Sequence, residues 1–164
     1  MSPLRPKRRV LVVEDAITVR SMLEYFFTMH GYDVLLASHP DTALRRLKTS
    51  AGLLDAVILD IRLDDNRSGL EVLELMRLDD RLAELTVVVL TGLPALGPEE
   101  VEIIRRNRAY LLYKQDGYER VFGQLDRIIK PRERQKGDGP APAISAPAHA
   151  VSTGRLDGPR HKPV

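Results

Sequence analysis

Five short apolar runs recur along the chain, and longer amphipathic segments separate them. Each run has five or six residues and is rich in Val, Ile and Leu at consecutive positions, without strict alternation of apolar and polar residues. Such continuous runs are typical of parallel strands that are covered on both faces. We therefore predict strands at residues 9–13, 32–37, 56–60, 86–90 and 109–113.

The intervening segments have helical spacing of apolar residues and helix-boundary residues at their ends. Pro40 and Pro98 stand where a first turn accepts proline, and Ser68 and Glu71 have the spacing of a capping box. We predict helices at residues 16–30, 40–50, 68–78, 98–107 and 116–130. Five strand–helix units joined by right-handed crossovers predict an α/β fold with a doubly wound five-stranded parallel sheet.

The composition changes at Pro131, where the pattern of strands and helices stops. The last 34 residues contain six Pro and four Gly and few large apolar side chains, too few to offset the entropy of ordering the segment. We therefore predict a folded domain at residues 9–130, a basic N-terminal arm at 1–8 and a disordered Pro/Gly/Ala-rich tail at 131–164.

Composition excludes several classes of protein. The 164 residues include no Cys, which excludes disulfides, zinc–thiolate sites and cysteine nucleophiles. No apolar run is long enough to cross a membrane, and the N-terminus lacks the apolar stretch of a secretory signal, so we expect a cytoplasmic protein with no membrane association.

Charge is distributed unevenly along the chain. Residues 1–9 carry +4 and residues 131–164 carry +3, which leaves −5 for residues 10–130 because the net charge is +2. Basic ends on an acidic body, without a nucleic-acid-binding module or interleaved aromatic residues, give no reason to expect direct DNA binding.

Chemically active residue types follow four of the five predicted strands. In an open parallel sheet, ligands bind beyond the carboxyl ends of the strands, so these side chains are expected at one edge. They are Glu14 and Asp15 after the first strand, Asp60 at the end of the third, Thr91 and Gly92 after the fourth, and Lys114 after the fifth.

This set of side chains suits phosphoryl chemistry. Close carboxylates raise one another's pKa unless a cation lies among them, and oxygen ligands without sulfur or histidine suit Mg²⁺. A carboxylate can also act as a nucleophile and form an aspartyl phosphate. Lys114 can neutralise a phosphoryl oxygen, Thr91 can donate a hydrogen bond to another, and Gly92 keeps the approach open and offers its backbone N–H.

Five segments together resemble the receiver domains of two-component response regulators, and the resemblance covers about residues 8–130. The matching segments are VLVVED (10–15), VILDIRL (57–63), SGLEVL (68–73), VVLTG (88–92) and YLLYK (110–114). The resemblance implies a flavodoxin-like fold with strand order 2-1-3-4-5.

The resemblance also implies a role for each matching residue. Asp60 is similar in position to the phosphoacceptor of the family. Glu14 and Asp15 resemble the acidic pair that holds Mg²⁺ together with Asp60 and the backbone carbonyl of Arg62. Thr91 resembles the switch hydroxyl that moves toward the phosphoryl group. Lys114 resembles the lysine that pairs with this group.

Partners follow from the same resemblance. A sensor histidine kinase or histidine phosphotransfer protein is expected to donate the phosphoryl group in a phosphorelay. Phosphorylation is then expected to shift the face built from the fourth helix, fifth strand and fifth helix, which is also a candidate homodimer surface. We expect a stand-alone, cytoplasmic phosphoprotein that signals to an unidentified target protein and is not an enzyme, beyond Mg-dependent self-phosphorylation and self-dephosphorylation.

Three positions depart from the family's usual pattern. Gln115 follows Lys114 where the family usually has Pro, often in a cis bond. Leu111 occupies the place of the family's switch aromatic, with Tyr110 and Tyr113 beside it as candidate substitutes. The loop after Asp60 is about one residue longer and adds two acidic residues, Asp64 and Asp65.

The missing Pro and the altered switch position support an alternative, a pseudo-receiver that binds proteins independently of phosphorylation. A nucleotide-binding enzyme is disfavoured because VVEDAI lacks a glycine-rich turn and the chain has no Walker-type GK[ST]. A haloacid-dehalogenase-like phosphatase is disfavoured because Arg62 stands where its second Asp would be.

Overall fold

A computed structural model describes residues 7–63 and 67–129. Five strands alternate with five α-helices over these residues. The strands are β1 (Arg9–Val13), β2 (Asp33–Ala37), β3 (Ala56–Leu59), β4 (Thr86–Thr91) and β5 (Tyr110–Tyr113). The helices are α1 (Ile17–Met29), α2 (Pro40–Thr49), α3 (Gly69–Arg77), α4 (Pro98–Arg106) and α5 (Tyr118–Ile129).

The strands form one sheet in the order β2-β1-β3-β4-β5, and every neighbouring pair is parallel. The central strand of the sheet is β3, and it pairs with β1 from Val10 opposite Ala56 to Val13 opposite Leu59. The predicted fold class, a doubly wound five-stranded parallel sheet with flavodoxin-like order, is confirmed. The carboxyl ends of β1, β3, β4 and β5 therefore lie at one edge of the sheet.

The apolar runs are continuous because each strand supplies two cores. Val10 and Val12 of β1 face a core with α1 and α5, whereas Leu11 and Val13 face a core with α2, α3 and α4. Both cores are closed by fully buried helical side chains such as Phe27 in the first. This burial on both faces holds the strand ends in register, which positions the polar residues that follow them.

Most predicted boundaries agree with the structure within one residue, and α5 is the exception. It was predicted to begin at Asp116 but begins at Tyr118. Lys114–Asp116 form one turn of 3₁₀ helix instead, and Gly117 follows with φ of +87°. Glycine adopts this left-handed region without strain, so the turn and the helix are separate elements.

The start of α3 also differs in detail from the predicted capping box. The Ser68 hydroxyl accepts a hydrogen bond from the backbone N–H of Leu70, at 3.1 Å, and so caps the helix. Glu71 does not complete the box, because its carboxylate accepts hydrogen bonds from the Arg67 guanidinium. Ser68 alone therefore satisfies the first turn through its side chain.

Several predictions lie outside the described residues. The tail at 131–164, most of the arm at 1–8, and Asp64 and Asp65 in the loop after Asp60 all fall there, so they stay predictions. Among residues 7–63 and 67–129, none of the helices has both the length and the apolar character that a membrane crossing requires.

Candidate functional site

Backbone hydrogen bonds carry the sheet pattern one residue past the ends of β1 and β3. The Glu14 N–H donates to the Ala37 carbonyl at 3.0 Å, and the Asp60 N–H donates to the Val13 carbonyl at 2.9 Å. The backbones of the two acidic residues are therefore fixed by the sheet. Asp60 follows β3, although it was predicted to be the last residue of that strand.

One ammonium group joins two of the predicted site carboxylates. Lys114 Nζ donates to Glu14 Oε2 at 2.6 Å and to Asp60 Oδ2 at 2.7 Å. The Glu14 and Asp60 side chains are only 2% and 7% exposed, and that of Lys114 is 16% exposed. The structure thus brings together residues that are up to 100 positions apart in the sequence.

Asp15 adds a third carboxylate, and unlike the other two it is exposed to solvent. Glu14, Asp15 and Asp60 each offer a carboxylate oxygen, and these atoms lie within 4.8 Å of one another. An oxygen-only cluster with an open side suits Mg²⁺, which keeps several of its waters when it binds. The donor set therefore fits the predicted metal.

Burial, charge and hydrogen bonding shift the pKa of Glu14 and the pKa of Lys114 upward. Burial, helped by the neighbouring Asp60 charge, raises the pKa of Glu14 to about 7 despite the lowering effect of Lys114. Burial by itself lowers the pKa of Lys114, but the hydrogen bonds to Asp60 and Glu14 outweigh it and the net shift is upward. Lys114 therefore remains an ammonium at neutral pH, while Glu14 titrates near neutrality.

Arg20 supports the loop that carries two of the acids. Its Nη1 donates to the backbone carbonyl of Glu14 at 2.8 Å and to that of Asp15 at 3.0 Å. The guanidinium thereby orients the backbone between β1 and α1 from the first turns of α1. Nothing in the sequence pattern indicated this role, because an arginine on a helix is usually a solvated surface residue.

Gly69 permits a close approach between α3 and the backbone of Asp60. A Cβ atom at this position would lie 1.9 Å from the Asp60 carbonyl oxygen, far inside contact distance. The Gly69 N–H also donates to the Ile61 carbonyl at 2.7 Å. The matching segment SGLEVL contained this glycine, but the contact itself is long-range and could not be inferred from spacing.

Arg62 lies close to Asp60 through its backbone. Its N–H donates to Asp60 Oδ1 over a long 3.4 Å, and the residue pairs with Ser68 in an isolated antiparallel bridge. The predicted involvement of the Arg62 backbone carbonyl in metal binding stays a prediction.

Thr91 is the last residue of β4 and is fully buried. Its Oγ1 accepts a hydrogen bond from the Leu93 N–H at 3.1 Å. Gly92 follows, and a Cβ there would lie 3.6 Å from Lys114 Cδ, an ordinary contact. A methyl group would therefore fit beside Lys114. Contact with Lys114 does not by itself require glycine at position 92, the residue that was expected to keep the approach open.

The two candidate switch tyrosines lie at opposite ends of β5. Tyr113 pairs in register with Thr91, is buried, and lies in the core beneath α4. Burial raises its pKa, and the charges of Asp116 and Glu100 act in the same direction. Only Tyr113 of the pair is thus adjacent to Thr91.

Tyr110 was predicted, like Tyr113, as a candidate substitute for the switch aromatic, but the structure does not bring it to the site. It begins β5 and lines a cavity at the opposite edge of the sheet with Arg77, Glu84 and Arg108. Three residues of the extended strand, 111–113, lie between Tyr110 and Lys114. Leu111, at the usual position of the aromatic, is buried in the core.

The chain is similar to known signalling proteins. A family model described as the response regulator receiver domain matches residues 10–118. The transcriptional regulatory protein AruR of Pseudomonas aeruginosa is 34% identical over 87 residues, which cover 51% of this chain and 34% of AruR. The alkaline phosphatase synthesis transcriptional regulatory protein PhoP of Bacillus subtilis is 33% identical over 70 residues, which cover 43% of this chain and 28% of PhoP. The chain thus spans about a third of the length of these relatives.

Solved structures show the same fold. The chemotaxis response regulator CheY4 of Vibrio cholerae matches with a TM-score of 0.65 at 24% identity, over 74% of this chain and 98% of CheY4. A putative response regulator from Chloroflexus aurantiacus matches with a TM-score of 0.64 at 23% identity, over 76% of this chain and 99% of that one. At this level of identity the likeness concerns the fold alone.

We predict that Gly69→Ala destabilises the protein, because the added methyl collides with the Asp60 backbone. The expected loss in the free energy of unfolding is about 1–3 kcal/mol, as for overpacking elsewhere. Gly123→Ala is the matched control, since nothing lies within 4 Å of its added Cβ in α5. That variant should gain about 0.5–1 kcal/mol. Urea unfolding measures both, and equal stability of Gly69→Ala and wild type would contradict the close approach.

The raised pKa of Glu14 predicts a pH-dependent stability. Between its ordinary pKa of 4.5 and about 7, folded protein holds more protons on Glu14 than unfolded protein does, so this group's contribution falls as pH rises. Glu14→Gln does not titrate, and its stability relative to wild type should rise by up to about 3 kcal/mol between pH 5 and pH 8 in metal-free buffer. Glu24→Gln, which changes an exposed carboxyl, should follow wild type. Parallel profiles for wild type and Glu14→Gln would refute the assignment.

Proposed function

The chain belongs to the response regulator receiver domain family, and from this premise we propose that Asp60 accepts a phosphoryl group from a phosphohistidine. The observation that carries the proposal is the position of the Lys114 ammonium, 2.7 Å from Asp60 Oδ2 and 2.6 Å from Glu14 Oε2. A cation held at the nucleophilic carboxylate is what transfer of an anionic group requires.

The proposed reaction exchanges one bond for another. An Asp60 carboxylate oxygen attacks the phosphorus, the P–N bond of the phosphohistidine breaks, and the imidazole leaves with the electron pair of that bond. The product is an acyl phosphate on Asp60. Bound Mg²⁺, held by Glu14, Asp15 and Asp60, would supply positive charge to the transferring phosphoryl oxygens.

Lys114 has two tasks in this proposal. Before transfer it neutralises the mutual repulsion of two buried carboxylates. After transfer the ammonium pairs with a phosphoryl oxygen, because the phosphoryl group is attached to the carboxylate that the ammonium already contacts. Thr91 donates its hydroxyl hydrogen to another phosphoryl oxygen. The backbone N–H of Gly92, the next residue, lies on the same segment after β4.

Tyr113 is the proposed aromatic partner of Thr91. It is buried on the neighbouring strand in register with Thr91, and we propose that movement of Thr91 alters the packing of its ring. The face of α4, β5 and α5 then changes, and this face is the proposed surface for a homodimer or for the target protein. A sensor histidine kinase or histidine phosphotransfer protein is the proposed donor.

These tasks belong to a receiver domain at residues 9–130. We propose that the protein is a cytoplasmic phosphoprotein and is not an enzyme in the ordinary sense. Mg-dependent self-phosphorylation and self-dephosphorylation are part of it. Action as a stand-alone protein stays a prediction, because the chain spans only about a third of the length of its curated relatives.

A pseudo-receiver that binds proteins without phosphorylation is the second candidate. Two observations favour it: Leu111 occupies the usual position of the switch aromatic, and Gln115 follows Lys114 in place of Pro. The contacts of Lys114 with Glu14 and Asp60 favour phosphoryl acceptance, since a module without that chemistry gains nothing from buried, clustered charges.

We predict that the wild-type protein gains one phosphoryl group when incubated with acetyl phosphate and Mg²⁺. Intact-protein mass spectrometry measures the gain. Asp60→Asn should abolish it because an amide does not act as the nucleophile, whereas Asp79→Asn changes a carboxyl away from the site and should not. No uptake by wild type, under conditions that label an ordinary receiver, would favour the pseudo-receiver.

Asp15→Ala should weaken Mg²⁺ binding by about 10-fold or more, because it removes the exposed carboxylate of the cluster. Asp79→Ala, at a surface ion pair with Arg81, is the matched control and should bind Mg²⁺ as wild type does. Isothermal titration calorimetry measures both affinities. Unchanged binding by Asp15→Ala would remove Asp15 from the site.

A further inference from the structure

The chain segments that leave β4 and β5 remain in contact beyond the ends of the strands. Strand pairing ends with Thr91 opposite Tyr113. One residue further, Gly92 lies against the methylene chain of Lys114, with 3.6 Å between an added Cβ and Lys114 Cδ. The third contact is a hydrogen bond from Gln115 Nε2 to the Leu93 carbonyl, at 3.1 Å.

Leu93 links this last contact to the Thr91 hydroxyl. Its N–H donates to Thr91 Oγ1 at 3.1 Å, and its carbonyl accepts from Gln115. Its side chain is half-buried against the core beneath α4. The orientation of the Thr91 hydroxyl therefore depends on where the Leu93 backbone lies, and Gln115 is one of the groups that hold it there.

Resting on the proposed function, we infer that Gln115 is a positioning residue that holds the segment after β4, through Leu93, in the arrangement preceding phosphorylation. When Thr91 turns toward a phosphoryl group on Asp60, the N–H of Leu93 follows its acceptor, the Thr91 hydroxyl oxygen. Movement of Leu93 then breaks its hydrogen bond with Gln115. A contact made in one arrangement and lost in the other favours the first.

The residue type at this position supports the inference. Proline, which the receiver family usually has after the lysine, carries no side-chain donor and could not make this contact. Gln115 is exposed, so its hydrogen bond competes with water and its effect is expected to be moderate. It therefore tunes the balance between the two arrangements, while Lys114 carries the charge.

Gln115→Met tests the inference, because methionine keeps the length of the side chain and removes the N–H donor. Two quantities are measured: hydrogen exchange of the Leu93 amide in metal-free protein by NMR, and the affinity of the Mg²⁺-loaded protein for beryllofluoride, a phosphoryl mimic. We expect exchange about 2- to 10-fold faster and beryllofluoride binding about 2- to 10-fold tighter, the range for one ordinary hydrogen bond. Lys48→Met in α2 is the control, because it places methionine at an exposed position away from the site and should change neither quantity.

Each outcome separates the inference from the function on which it rests. If wild type binds beryllofluoride and Gln115→Met binds it equally or more weakly, the positioning role is wrong and the proposed function stands. Unchanged Leu93 exchange in the variant would likewise overturn the role. If wild type neither binds beryllofluoride nor accepts a phosphoryl group, the proposed function fails and the inference falls with it.

Discussion

The structure depends on one electrostatic constraint, the pairing of two buried carboxylates with a single ammonium group. Glu14 and Asp60 are almost wholly buried beside each other, and both contact Lys114 Nζ. Without the cation, one of the acids would have to bind a proton, and the raised pKa of Glu14 shows how close the site is to that limit. With Asp15 at the open side, three carboxylates face one ammonium, and a divalent cation can supply the two positive charges that the cluster lacks.

The fold creates this constraint through ordinary packing. A sheet that is buried on both faces fixes the ends of β1, β3 and β5 at one edge, and whatever residues follow them must share that edge. Backbone hydrogen bonds at Glu14 and Asp60, together with the close approach of Gly69, leave the acids little freedom to separate. The burial of apolar side chains in two cores thus stabilises a cluster of carboxylates that repel one another.

Much of this could be predicted from the sequence, because its strongest signals are local. Continuous apolar runs predict buried parallel strands, and the residues that follow these runs predict which side chains form the site. Contacts between distant segments have no such signal: Gly69 against Asp60, Arg20 on the carbonyls of Glu14 and Asp15, and Gln115 on Leu93 all depend on tertiary structure. The same limit explains the start of α5, which was predicted at Asp116 although Gly117 turns the chain before the helix begins. It also explains Tyr110 and Tyr113, because only the register of β5 with β4 distinguishes them.

A double-mutant cycle between Lys114 and Asp60 tests the central claim most directly. The free energy of unfolding is measured by urea in metal-free buffer for wild type, Lys114→Met, Asp60→Asn and the double variant. If the ammonium neutralises Asp60, Lys114→Met costs more stability in wild type than in the Asp60→Asn background, by about 1–3 kcal/mol. Equal costs in the two backgrounds would mean that Lys114 and Asp60 do not interact, and the account of the site would be wrong.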